Sequence, residues 1–185
     1  YTITSLLIQG GPIDIFGVGE RLITSKSDPV FGAVYKIAGV EKNGVWEPRI
    51  KISESVEKIT NPGFKKVYRV YNEKGRAIAD LLTLLEEVPD TTEPYRYIDP
   101  EQPWRELYFE NCTFKEMKQL IIKDGKLLVE LPTLDELRQY VKDQLETEIW
   151  PEEQRFENPH RHYLDMSPGY YQMKMDLLNR IFRKK

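Results

Sequence analysis

The sequence predicts a mixed α/β chain, helical at its beginning and end and β-rich between. Three observations carry this. A glycine pair closes an apolar opening segment, an Asn-Gly dipeptide joins two β-prone runs, and capping signals precede apolar stripes at helical spacing. With 185 residues, 40% of them hydrophobic, the chain can bury one sizeable core, or one core and a smaller appendage.

The elements follow in order. Thr2 to Gln9 is an apolar helix stopped by Gly10-Gly11, with Pro12 preventing continuation. Ile13-Asp14-Ile15-Phe16 is a short β-prone run closed by Gly17-Val18-Gly19, and Glu20 to Thr24 restarts an ordered segment. The runs 33–42 and 45–52 flank Asn43-Gly44, the favoured type I′ hairpin turn, since both central residues tolerate φ > 0. After the loop Thr60-Asn61-Pro62-Gly63, a second hairpin is expected from Lys65 to Tyr71 and Arg76 to Leu85. The stretch 86–103 reads as an exposed connector. Thr113-Phe114-Lys115-Glu116 has capping-box spacing and predicts a short helix, which Asp124-Gly125 turns into Lys126 to Leu131. Thr133 to Glu136 is a second capping box, ahead of the stripe Leu134, Leu137, Val141 and Leu145, and Trp150-Pro151 ends that helix. Ser167-Pro168 caps the last helix, whose apolar face is Tyr170, Leu177, Leu178 and Ile181. Its basic end is Arg180, Arg183, Lys184 and Lys185.

Composition narrows the function. A net charge of −3 gives no global basic field, which disfavours nucleic acid as the partner. A lone Cys112 excludes an internal disulfide framework and a cysteine-rich zinc site, and fits a reducing cytoplasm. No apolar run reaches membrane-spanning length. Because Tyr1 opens straight into a dense apolar element, the start reads as a cut through a larger fold.

Three places could carry chemistry. Gly17-Val18-Gly19, at the end of a strand and before a helix, would let backbone amides approach a phosphate. The commoner use of Gly-x-Gly is a tight structural turn, and this one lacks the third glycine of the dinucleotide fingerprint and the lysine of a P-loop. Lys58, Lys65 and Lys66 bracket a loop that is either an anion contact or a solvated turn. His160 and His162 lack an acidic or cysteine set to complete a metal site, so a structural or surface role is favoured. No nucleophile-elbow pattern organises Ser, His and Asp.

The run from Ile13 to Thr24 resembles a segment of nicotinate phosphoribosyltransferases. The likeness continues through Phe31 to Lys36, Trp46 to Lys51 and Glu57 to Lys65. It returns at Phe156 to His160 and Tyr163 to Ser167. These stretches occur in the family's order and spacing. The resemblance implies the closing strand–helix unit of a type II phosphoribosyltransferase α/β barrel (1–32), a β-hairpin-rich joining segment (33–90) and a helical C-terminal domain (91–185). It implies a reaction too: nicotinate and phosphoribosyl pyrophosphate give nicotinate mononucleotide and pyrophosphate in NAD salvage. Coupled ATP hydrolysis, Mg2+, a cytoplasmic homodimer and the rest of the enzyme chain belong to the same picture. By position, Gly17, Val18 and Gly19 would cradle the ribose 5-phosphate. Glu20 stands where many members have threonine, and Arg21 could offset its charge. The family's catalytic histidine and nicotinate-binding residues correspond to nothing here, so the chain alone is expected to be inactive. The alternative is a stand-alone phosphate- or nucleotide-binding regulatory module.

Overall fold

The opening helix α1 (Thr2–Ile8) stops as the glycine pair dictates. Gly10 takes φ 76°, its amide reaches Leu7 O at 3.0 Å and the Gly11 amide reaches Leu6 O at 3.0 Å. This is the paired closure of a Schellman cap, and the left-handed residue in it favours glycine. In this computed structural model, residues 2–26, 29–30, 34–54, 58–155 and 157–183 are described. Parts of the family-like stretches (Phe31 to Ala33, Glu57 and Phe156) and the basic pair Lys184 and Lys185 lie outside them.

The chain divides into two compact units, Tyr1–Tyr35 and Lys36–Lys185. In the first unit the expected strand at Ile13 to Phe16 is not formed. The residues run as irregular backbone to α2 (Glu20–Ile23). A strand needs a neighbour to take up its amides and carbonyls, and the described residues of this unit offer none.

The second unit opens with β1 (Gly39–Lys42) and β2 (Val45–Pro48), joined by Asn43 at φ 53° and Gly44 at φ 78°. Then come β3 (Lys65–Tyr71), β4 (Ala77–Leu84), β5 (Tyr95–Tyr97), β6 (Leu107–Phe109) and β7 (Thr113–Glu116). The hairpin β8 (Ile122–Lys123) and β9 (Lys126–Leu127) precedes α3 (Leu134–Asp143), which runs into a π-helical turn at Gln144–Glu148. β10 (Tyr163–Met166) and α4 (Pro168–Phe182) complete the unit.

The central sheet has the order β10-β4-β3-β7, with β10 parallel to β4 and the other pairs antiparallel. Both of its faces are covered. On one, Tyr68, Val70, Ala79 and Leu81 pack against Phe109 and Cys112, with Tyr95, Tyr97 and Phe114 alongside. Tyr97 stacks on Phe109 at 3.9 Å between ring centroids, and Phe114 meets both Tyr95 and Phe109 edge-on. On the other, Leu82 and Met166 pack against Tyr170 of α4, joined by Val67, Leu84 and Met173. A strand covered on both sides loses its polar alternation, which is why β3 shows no clean period of two.

Thr113 to Glu116, expected to open a helix, is instead strand β7, pairing Phe114 with Val70 and Thr113 with Tyr71. Burial of Phe114 in the aromatic cluster outweighs a cap that no apolar helical stripe supports. The stretch 91–185 is correspondingly mixed rather than helical, holding β5 to β10 beside α3 and α4. The second capping box forms in full: the Thr133 amide and hydroxyl both donate to Glu136, and the Glu136 amide donates back to Thr133 Oγ1. The stripe Leu134, Leu137, Val141 and Leu145 is exposed among the described residues.

Ser167 caps α4 by accepting the Tyr170 amide at 3.1 Å. Tyr170 is fully buried and its hydroxyl donates to the Pro62 carbonyl at 2.7 Å, tying α4 to the loop before β3. Removing the donor strands that carbonyl away from water, so Tyr170→Phe should cost about 1–3 kcal/mol. Tyr170→Ala, which also empties the second core, should cost about 3–5 kcal/mol. Urea unfolding midpoints of the three proteins check this, and a Tyr170→Phe midpoint equal to the parent's contradicts the clamp.

Candidate functional site

The glycine turn lies in the first unit. Gly19 is the residue before α2, at φ −86° and ψ −177°, with no side-chain cap. Neither Gly17 nor Gly19 is among the glycines with positive φ, and a Cβ built on either meets no described atom within 4 Å. Backbone conformation and packing inside the described residues therefore do not require glycine at these positions. Nor does the Gly17, Val18 or Gly19 amide donate a hydrogen bond among them. What the turn presents is a stretch of open backbone with unshielded donors, flanked by the exposed side chains of Glu20 and Arg21.

The three lysines have separate surroundings. Lys58 is exposed, and its carbonyl accepts from Lys36 Nζ at 3.4 Å. Lys65 is half-buried, and its ammonium donates to the Asn61 and Gly63 carbonyls at 2.9 and 3.3 Å. Burial, and then the nearby Lys118, lower its pKa. Lys66 faces Glu116 of β7 at 3.9 Å. From α4, Lys174 reaches Asn61 Oδ1 at 2.8 Å. Gly63 sits at φ 84° with its amide on the Ala38 carbonyl. The loop from Thr60 to Gly63 is thus held by Lys65 and Tyr170, which donate to its carbonyls, and by Lys174, which donates to the Asn61 side chain.

Sequence reading missed a set of half-buried charges and one fully buried acid. Arg69 and Asp80, paired across β3 and β4, join through two hydrogen bonds of 2.9 and 3.2 Å. His162 completes this group, with Nε2 3.5 Å from Asp80 and Nδ1 3.3 Å from Glu153. Asp80, although desolvated, is held down to about 2 by His162 and Arg69. Contact with Asp80 holds His162 protonated above its ordinary value. Close by, Tyr71 Oη donates to Glu148 at 2.5 Å, and Trp150 Nε1 donates to the Ala77 carbonyl at 2.7 Å. His160 remains at the surface, edge-on to Tyr163. On β10, Asp165 is buried to 5% exposure, and desolvation followed by the Asp99 charge pushes its carboxyl up to about 7. The one legible signal was a single acid set in each of two apolar runs, Ala-Ile-Ala-Asp-Leu-Leu and Tyr-Leu-Asp-Met. Among the described residues no three His, Cys, Asp or Glu side chains converge as a metal set, and no helix is long and apolar enough to cross a membrane.

Residues 64–174 match the family described as "Nicotinate phosphoribosyltransferase C-terminal domain". The chain is 34% identical to "Nicotinate phosphoribosyltransferase" of Bacillus subtilis over 182 residues, covering 98% of this chain and 37% of that protein. It is 35% identical to the Caenorhabditis elegans protein of the same name over 175 residues, covering 92% and 30%. The chain therefore spans roughly a third of the length of these curated relatives. The crystal structure of human nicotinic acid phosphoribosyltransferase aligns with a TM-score of 0.61 at 22% identity, over 72% of this chain and 26% of that one. That likeness shows the fold.

Asp165 and His162 give stability a defined pH dependence. Between 3.8 and about 7 an unfolded Asp165 ionises while the folded one keeps its proton, so stability falls as pH rises and levels off above about 7. His162 adds stability below its unfolded value of 6.5, which is lost as pH rises through its higher folded value. Asp165→Asn should therefore flatten the profile between pH 4 and 7 and raise stability at pH 8 by roughly 2–4 kcal/mol. His162→Gln should remove only the decline above pH 6.5. Urea melts from pH 4 to 8 measure both, and an Asp165→Asn profile parallel to the parent's contradicts the assignment.

Proposed function

The chain belongs to the nicotinate phosphoribosyltransferase family, whose C-terminal domain matches more than half of it, and we propose that it is the C-terminal part of such an enzyme. In this reading the whole enzyme joins nicotinate to phosphoribosyl pyrophosphate, giving nicotinate mononucleotide and pyrophosphate in NAD salvage. It works as a cytoplasmic homodimer with ATP hydrolysis coupled to the transfer.

The observation that carries the chain's own part is the open turn at Gly17 to Gly19. Its amides have no partner among the described residues, and its glycines answer to no local packing need. An oxyanion seated there accepts from those amides directly, which a Cβ at 17 or 19 would obstruct. The ribose 5-phosphate is the group proposed to sit there. Glu20 must point away from that phosphate, since two anions in contact repel, and Arg21 on the same short helix offsets part of its charge. Magnesium would neutralise the pyrophosphate in the full enzyme. Among the described residues no three His, Cys, Asp or Glu side chains converge to hold it. Lys65, turned onto the Asn61 and Gly63 carbonyls, and Lys174 of α4, bonded to Asn61, support an architectural role for the loop 60–66 in preference to an anion contact.

Purified chain incubated with nicotinate, phosphoribosyl pyrophosphate, ATP and magnesium should form no nicotinate mononucleotide; product formation would refute the division of labour proposed. In the Bacillus subtilis relative, valine at the positions aligned with Gly17 and Gly19 should raise the KM for phosphoribosyl pyrophosphate about 10-fold or more, with the KM for nicotinate little changed. Equal effects on both substrates would indicate a folding defect. No effect on either would return the turn to a structural role.

A further inference from the structure

A cavity of about 530 Å³ opens on the sheet face that β5 and β6 cover, bordered by β10 and by the segment 97–112. In β10, Tyr163 and Asp165 register beside Ala79 and Leu81, which places both on this face, and both line the cavity. Asp165 is 5% exposed, and its carboxylate finds no hydrogen-bond or ion-pair partner among the described residues. A carboxylate so enclosed is costly unless something compensates it, and this one looks into an open volume. Asp99 and Glu110 add two more carboxylates to the lining, while Arg105 is its one cation. Asp99 is itself a carboxylate and repels Asp165, and Arg105 bonds Gln102 without an ion pair to Asp165. The rings of Tyr97 and Tyr108 supply aromatic wall.

We propose that this cavity binds an organic cation, an ammonium or guanidinium group, with Asp165 as its buried counter-charge. Three features set the class. The carboxylates outnumber the cation in the lining, so the field favours positive charge. Aromatic walls attract weakly hydrated cations through their quadrupoles. The volume is that of a small-molecule site, and no three-ligand set for a metal ion is present among the described residues. The proposal is independent of the glycine turn and of the transferase reading.

The test uses the 185-residue chain at pH 8 and isothermal titration calorimetry. Two probes are cations, agmatine and N-acetyl-arginine amide. N-acetyl-citrulline amide is the uncharged isostere of the second. At least one cation should bind with a Kd of about 1 mM or tighter, and the isostere at least tenfold more weakly. Asp165→Asn should weaken the cation tenfold or more, and that variant loses a buried unpaired charge, so it folds. Asp99→Asn, at a partly exposed position, should weaken it severalfold. Tighter binding of agmatine assigns the cavity to a free small cation, and tighter binding of the arginine amide assigns it to a polypeptide side chain. Either supports the proposal. Absence of binding by both cations at about 10 mM overturns it, as does equal binding of the citrulline probe or an undiminished affinity in Asp165→Asn.

Discussion

The second unit depends on one constraint: β3 and β4 are buried on both faces at once. Leu81 and Val70 are fully enclosed on one side, while Leu82 on the other is almost as well covered. A hairpin alone cannot meet that demand, because two strands in water have nothing to cover either face. The segments that follow are recruited to do so. The aromatic pair β5 and β6 closes one side, α4 closes the other, and β7 and β10 remove the hairpin's two open edges. The long connection from β4 to β10 is then explained, since a parallel neighbour cannot be reached by a tight turn.

Two of the family-like stretches in this unit serve that same task. Asn61-Pro62-Gly63 is gripped by Tyr170, Lys174 and Lys65, and Tyr163 to Ser167 supplies β10 and the cap of α4. Ser167 also donates to Glu87, whose carboxylate receives the Leu84 amide at the end of β4. One serine thus links the sheet's edge, the helix start and the exit from β4. Residues read as a motif are here the joints of a frame.

How much of this was legible depends on whether the cause was local. Gly10 and Asn43-Gly44 act through φ > 0, Thr133 and Ser167 through caps, and each effect spans a few residues, so pattern reading found them. Thr113 to Glu116 carried a cap pattern too, but Phe114 belongs to the aromatic cluster formed with Tyr95 and Phe109, which no window around residue 113 reveals. Ile13 to Phe16 erred the other way, with a strand's local preference and no partner to realise it. The Arg69–Asp80–His162 group stayed hidden because its members come from three strands or their flanks, and only the sheet's register brings them together. The glycine turn was read from the residues as backbone that could meet a phosphate, and only the resemblance named that phosphate as the ribose 5-phosphate.

Function concentrates where packing fails to account for a residue's identity. In Lys36–Lys185, Gly63 is required by φ 84° and by Met173 at 3.3 Å from its would-be Cβ, and Tyr170 is required by a buried carbonyl. Packing explains both. Asp165 is the exception, since a leucine or asparagine would fill the same strand position without an unpaired buried charge. In Tyr1–Tyr35, Gly11 is crowded by the Leu6 carbonyl at 3.0 Å and Gly10 closes a helix, whereas Gly17 and Gly19 answer to neither need. Two features that packing leaves unexplained are therefore an open turn rich in amide donors in one unit and a buried, unpaired carboxylate facing a cavity in the other. The two are of opposite electrostatic sense, so one molecule's phosphate could satisfy the first but never the second. A cation proposed beside Asp165 and an oxyanion proposed at Gly17 to Gly19 are therefore two different chemical groups.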